Sequence, residues 1–153
     1  MTRILSALAA VMLLGFGLPA AAQDKSKGTA AEATAMVDKA IAHIKKVGRE
    51  KAFADFSSKK APWVDRDLYV VVYDMQGLAL AHPNPKWRGK NMMDIRDQSG
   101  RSWVKERSEL AQKQASGLQD TEIFNPVTKK VEPKKVYWER HGDLIFISGA
   151  YVK

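Results

Sequence analysis

The side chains in this sequence that are suited to chemistry are recognition groups, and they point to holding an anion rather than to breaking a bond. His82 follows the apolar run at 78–81 and precedes Pro83, so it stands where a strand ends. Its imidazole donates a hydrogen bond from either ring nitrogen to a carboxylate and titrates near physiological pH; a histidine that caps the strand end is the competing reading. Trp87 and Arg88 lie in the loop beyond, one an apolar lid and the other a bidentate carboxylate clamp, with solvent as the plainer place for Arg88. Phe124 precedes Asn125 and Pro126, where an aromatic serves a core or a ligand equally well. In VEPKKVYWER, strand alternation sets Lys134, Val136 and Trp138 on one face and Lys135, Tyr137 and Glu139 on the other. A lysine in an apolar layer is partly desolvated and calls for an anion, which a ligand carboxylate would supply; an edge lysine that snorkels to water is the alternative.

Bond-breaking templates fail. The sequence has no G-x-S-x-G elbow, no H-E-x-x-H, no phosphate-cradling glycine loop and no dense acidic array of the kind calcium needs. The three histidines, His43, His82 and His141, are scattered over different segments, and cysteine is absent. No metal, cofactor or catalytic residue is therefore expected, and the chain is not read as an enzyme. His43 falls on the polar side of its segment and reads as a solvated surface residue.

These groups need elements to hold them. Thr29 and Glu32 form a capping box, and Met36, Val37, Ala40, Ile41, Ile44 and Val47 recur at helical spacing behind it. Gly48 interrupts that helix, and a short second piece follows over 49–56. Residues 68–73 read as a strand, Met75, Gln76 and Gly77 as a turn, and 78–81 as the return strand. Ser102 is positioned to cap a helix running to about Ser116, with Trp103, Val104, Leu110 and Ala111 inward and Gly117 as its stop. Three further strands are expected at 118–124, 134–140 and 144–152. The result is an α+β domain: five antiparallel strands, a long helix across one face, and a helical insertion between strands 2 and 3 that leaves a pocket over the other.

The first 22 residues stand apart. Arg3, the uncharged run at 4–18, Pro19 and three alanines before Gln23 read as a cleaved secretory signal peptide, with an uncleaved N-terminal membrane anchor as the rival. Residues 23–28 are then a flexible tail and 29–153 a single domain in the periplasm. A net charge of +8 favours anionic partners, but the basic residues are interleaved with acids, so nucleic acid is not expected.

The segments AMVDKAIAHIKKVGREKAFADFS, DLYVVVYDMQGLALAHPNPKWRGKN, FNPVTKKVEPKKVYWER and LIFISGAYVK, in that order, resemble the extracytoplasmic single Cache (sCache) sensor domains. The resemblance rests on the helix break at 48–53, the D-x-x-G-x-x-L-A-H-P hairpin at 74–83, the G-K-N at 89–91 and the N-P-x-x-x-K-x-x-P-K at 125–134. It implies a PAS-like five-stranded antiparallel sheet behind a long N-terminal helix, with a membrane-distal pocket for small polar metabolites, often short carboxylates. By position it implies that His82, Trp87, Phe124, Lys134 and Tyr137 line or border that pocket, although related domains often carry Trp or Tyr at the place of Phe124. The reading is a periplasmic binding or sensing domain, a monomer or weak dimer, that passes its message to a membrane receptor or sensor kinase. Its alternative is a ligand-independent envelope interaction protein.

Overall fold

The computed structural model describes residues 25–152; the segment read as a signal peptide lies outside the described residues. The chain is already held at Lys27 and Gly28. Gly28 N–H donates to Asp67 Oδ1 at 2.7 Å, and Lys27 pairs with Glu132. Only glycine fits here, because a Cβ would lie 2.2 Å from Leu68 Cγ. The last two residues of the expected tail are therefore docked.

Helix α1 (Ala30–Val47) starts at the capping box that Thr29 and Glu32 complete. Its buried stripe, Ala33, Met36, Val37, Ala40, Ile41 and Ile44, follows the three-and-four spacing that lays one face on a sheet. Gly48, at φ +81°, ends it in a conformation that costs glycine little, and α2 (Arg49–Phe56) turns away. His43 is a correction to the sequence reading. Its Nε2 lies 2.8 Å from Asp55 Oδ2, and its ring packs on Trp63 and Phe56.

The first strand divides into two pieces. Strand β1 (Val64–Asp65) pairs with β2 (Leu68–Tyr69), and Val70 N–H reaches Trp63 O, so residues 68–70 face backward rather than joining the main sheet. That sheet contains β3 (Val71–Asp74), β4 (Ala79–Ala81), β5 (Ser116–Phe124), β6 (Val131–His141) and β7 (Leu144–Tyr151) in the antiparallel order β4-β3-β7-β6-β5. Asp74 Oδ1 accepts from the amides of Gln76 and Leu78 to close the β3–β4 turn. Met92 N–H bonds Gly77 O and Ala79 N–H bonds Lys90 O, folding the segment after β4 back along its edge.

Every residue of β7 is buried, and they alternate between two layers. Leu144 and Phe146 meet α1 and α2, whereas Ile145 and Ile147 join Val71, Tyr73, Val136 and Trp138 on the opposite face. Helix α3 (Trp103–Lys113) covers that second face in a phase the apolar residues alone do not predict. Its buried residues are Val104, Arg107, Ser108 and Ala111, while Leu110 is exposed. Ser102 donates its hydroxyl to Met93 O instead of capping the helix, and Gly117 lies within β5, where a Cβ would meet Trp138 at 2.8 Å.

Phe146 is fully buried and makes an edge-on contact with Phe56, tying the sheet to α2. Phe146→Ala should cost about 3–5 kcal/mol through lost burial and the cavity left behind. Urea unfolding should show this as a lower midpoint with an unchanged slope.

Candidate functional site

Between the second face of the sheet and the covering segment 82–113 lies a cavity of about 650 Å³, within the range that encloses a small ligand. The alternation of β6 turns Lys134 and Val136 into it; β2 and β3 supply Tyr69, Val71 and Tyr73. Six cationic side chains line it against two acidic ones, Asp97 and Glu122. Asp97 is occupied by Ser99 and the Arg101 amide, and Glu122 is exposed.

Lys134 is 3% exposed. Its ammonium sits 3.9 Å from the centre of the Tyr69 ring and 4.3 Å from that of Tyr151, and it takes part in none of the ion pairs among the described residues. Two aromatic faces stabilise a desolvated cation by about 2 kcal/mol or more. Although burial pushes the Tyr69 phenol up, the charge of Lys134 and hydrogen bonds from Tyr151 and Lys134 pull it down, so Tyr69 meets Lys134 with its hydroxyl as well as its ring. An ammonium so placed on the wall, without a carboxylate partner, is suited to an entering anion.

His82 also lines the cavity, its ring 5.9 Å from that of Tyr69. Asn84 N–H donates to its Nδ1 at 2.9 Å, so the neutral ring carries its proton on Nε2. Burial, with the charges of Lys134 and Arg88 adding to it, pulls the imidazole down to about 4. His82 at neutral pH is therefore an uncharged donor. Tyr73 is likewise kept protonated, since burial pushes its phenol up.

The structure brings four of the six expected residues to this cavity: His82, Trp87, Phe124 and Lys134. Trp87 is half-buried against the second layer; Phe124, 53% exposed, is at the rim. Tyr137 is a correction. It lies on the opposite face of β6, packs against the α1 layer and donates to Glu139 Oε2 at 2.9 Å. The alternation that points Lys134 inward requires this. Arg88 is the second correction: it is exposed and off the cavity wall, because the loop turns Trp87 inward and its neighbour outward.

Arg107 is the group that sequence reasoning missed. It is 2% exposed, lines the cavity, and donates from Nε to Gln119 Oε1 at 3.1 Å, while its Nη2 is buried without an acceptor. Desolvation pulls it down to about 10, which leaves it charged at neutral pH. The signal was present in the spacing 104, 107, 108, 111, one helical stripe that places an arginine among inward residues.

The His82 environment sets a pH dependence. The unfolded chain takes up a proton near 6.5, but folded His82 resists until about 4. Its contribution to stability is therefore complete above pH 6.5 and is lost as pH falls toward 4, on the order of 2 kcal/mol after discounting for partial exposure. Urea unfolding at pH 7 and pH 5 should show a smaller drop for His82→Gln than for the parent.

Comparison with known proteins places the chain. The family model of Single Cache domain 2 matches residues 19–152, and no curated protein matches the chain. The fold is similar to that of a methyl-accepting chemotaxis protein from Vibrio parahaemolyticus RIMD 2210633, at TM-score 0.69 and 22% identity over 80% of this chain and 88% of that one. It is also similar to the periplasmic sensor domain of a chemotaxis protein, at 0.63 and 20% over 78% and 88% of the two chains. A third likeness, 0.64 and 18% over 78% and 86%, is to a Cache chemosensory domain described for carboxylic acid recognition. The five-stranded sheet, the long helix behind it and the family match agree: this chain belongs to the single Cache domain 2 family.

Proposed function

We propose that this chain is an extracytoplasmic sensory domain that binds a small carboxylate, or another small polar anion, in the cavity beneath α3. The observation that carries this reading is Lys134, a buried ammonium on the cavity wall with aromatic neighbours and no ion-pair partner among the described residues. Lys134 neutralises the ligand's charge and the Nε2–H of His82 donates to it. Trp87 and Phe124 supply the apolar side and rim. The likeness to a Cache domain described for carboxylic acid recognition agrees with that chemistry.

The signal-peptide reading of residues 1–22 fits an exported domain, and no helix among the described residues is long and apolar enough to cross a membrane. The protein then binds without turnover and reports occupancy to a receptor or sensor kinase. Arg88 and Tyr137 are outside this assignment.

Thermal melting against short carboxylates tests the reading. A carboxylate at a hundredfold excess over its dissociation constant should add about 2.7 kcal/mol, a shift of several degrees. Lys134→Ala should weaken that binding by about 2–5 kcal/mol, because it removes one partner of a desolvated ion pair. A Lys134→Ala protein that binds the same carboxylates as tightly as the parent would refute the assignment.

A further inference from the structure

The cavity holds a second buried cation, and its position restricts what the ligand can be. Among the described residues Arg107 donates only to Gln119, and no carboxylate pairs with it. Its guanidinium carbon also lies 5.6 Å from the centre of the Trp103 ring, but the buried Nη2 has no acceptor, so the five donors of this guanidinium are incompletely satisfied. Tyr73, beside it on the wall, is a protonated phenol rather than an anion. Asp67 is the buried acid among the described residues, but it is off the cavity wall and accepts from Gly28.

Arg107 and Lys134 mark two separate places. Arg107 is anchored on Gln119, which is opposite Val136 in the β5–β6 register, whereas Lys134 is opposite Thr121, two residues further along. The Lys134 ammonium also leans away from β5, onto the rings of Tyr151 in β7 and Tyr69 in β2. The anchor points are thus separated by roughly 7 Å along the strands and by one to two strand spacings of about 4.8 Å across them. A single carboxylate takes donors about 2.8 Å from its oxygens and does not span that gap.

We infer that the ligand carries an anionic group at each end, one held by Lys134 with His82 and the other by Arg107. Its class is a short α,ω-dicarboxylate, of about four to six carbons given that separation. This rests on the carboxylate reading above and sharpens it. The same cavity wall carries the apolar side chains of Val71, Val136 and Ile147, which suit a methylene chain.

Isothermal titration calorimetry at neutral pH, comparing α,ω-dicarboxylates of increasing length with their monomethyl esters, tests the inference. The diacid of matching length should bind about tenfold or more tighter than its own ester, a preference that peaks with chain length. Arg107→Gln should erase that preference by weakening the diacid about tenfold or more toward the affinity of its ester, and Lys134→Gln should weaken the diacid as well. Esters that bind as tightly as diacids at every length would overturn the two-ended ligand and leave the carboxylate reading intact. A preference that survives Arg107→Gln would overturn the role of Arg107. Absence of binding in both series would overturn the carboxylate reading and this inference with it. The acid-to-ester comparison on the unmodified protein decides the first point even where a variant does not fold.

Discussion

The alternation of the two central strands, β6 and β7, is the constraint on which the structure depends. Every residue of β7 is buried, as are Lys134, Val136 and Trp138 of β6, so side chains along these strands divide between two layers. The layer under α1 and α2 is filled: Leu144 and Phe146 meet a continuous helical stripe and an aromatic cluster of Phe56 and Trp63. The layer under α3 is filled only in part. Trp138 and Ile145 pack there, but toward Lys134 and Gly149 the covering chain stands away from the sheet and encloses the cavity. A shift of one residue in β6 would exchange Lys134 for Lys135 and move Tyr137 into the site. The docked amide of Gly28, the β3–β4 turn and the folded-back segment after β4 all support the same sheet from its margins.

Under the proposed function, that division separates stability from recognition. The layer under α1 and α2 has an apolar core with close aromatic contacts. The other layer admits two cations that a purely structural core would exclude, since neither is matched by a carboxylate across the cavity. Buried charge of one sign is destabilising unless something else satisfies it.

Most of the fold was legible in the sequence because its signals are local. The capping box, the helical stripe behind it, the Gly48 break and the Asp74 turn each depend on residues within a few positions. Alternation within β6 was legible for the same reason and set Lys134 and Lys135 on opposite faces, but it did not say which of the two faced the cavity; the structure turns Lys134 toward it. What could not be read depends on contacts between distant segments. The pairing of residues 68–69 with β1 follows from how the chain enters the sheet, not from their β-branched neighbours. The phase of α3 was misjudged because Trp103 and Leu110 are the more apolar residues, while the surrounding structure favours the stripe containing Arg107. Tyr137 was assigned to the site by resemblance, against the alternation that the same strand displays.

His82 shows why a pocket of this charge uses a neutral donor. A further positive charge beside Lys134 would add to the repulsion there, and burial first, then the charge of Lys134, opposes protonation of the imidazole. The Asn84 amide adds a geometric constraint, because it occupies Nδ1 as an acceptor and leaves Nε2 as the protonated atom. His82 can therefore direct a hydrogen bond without altering the charge balance. Charge then comes from residues on rigid elements, Lys134 on β6 and Arg107 on α3, while orientation comes from a loop fixed by its own backbone. An anion that enters would meet opposite charge at fixed positions and a donor already in the correct tautomer, so little reorganisation remains to oppose binding.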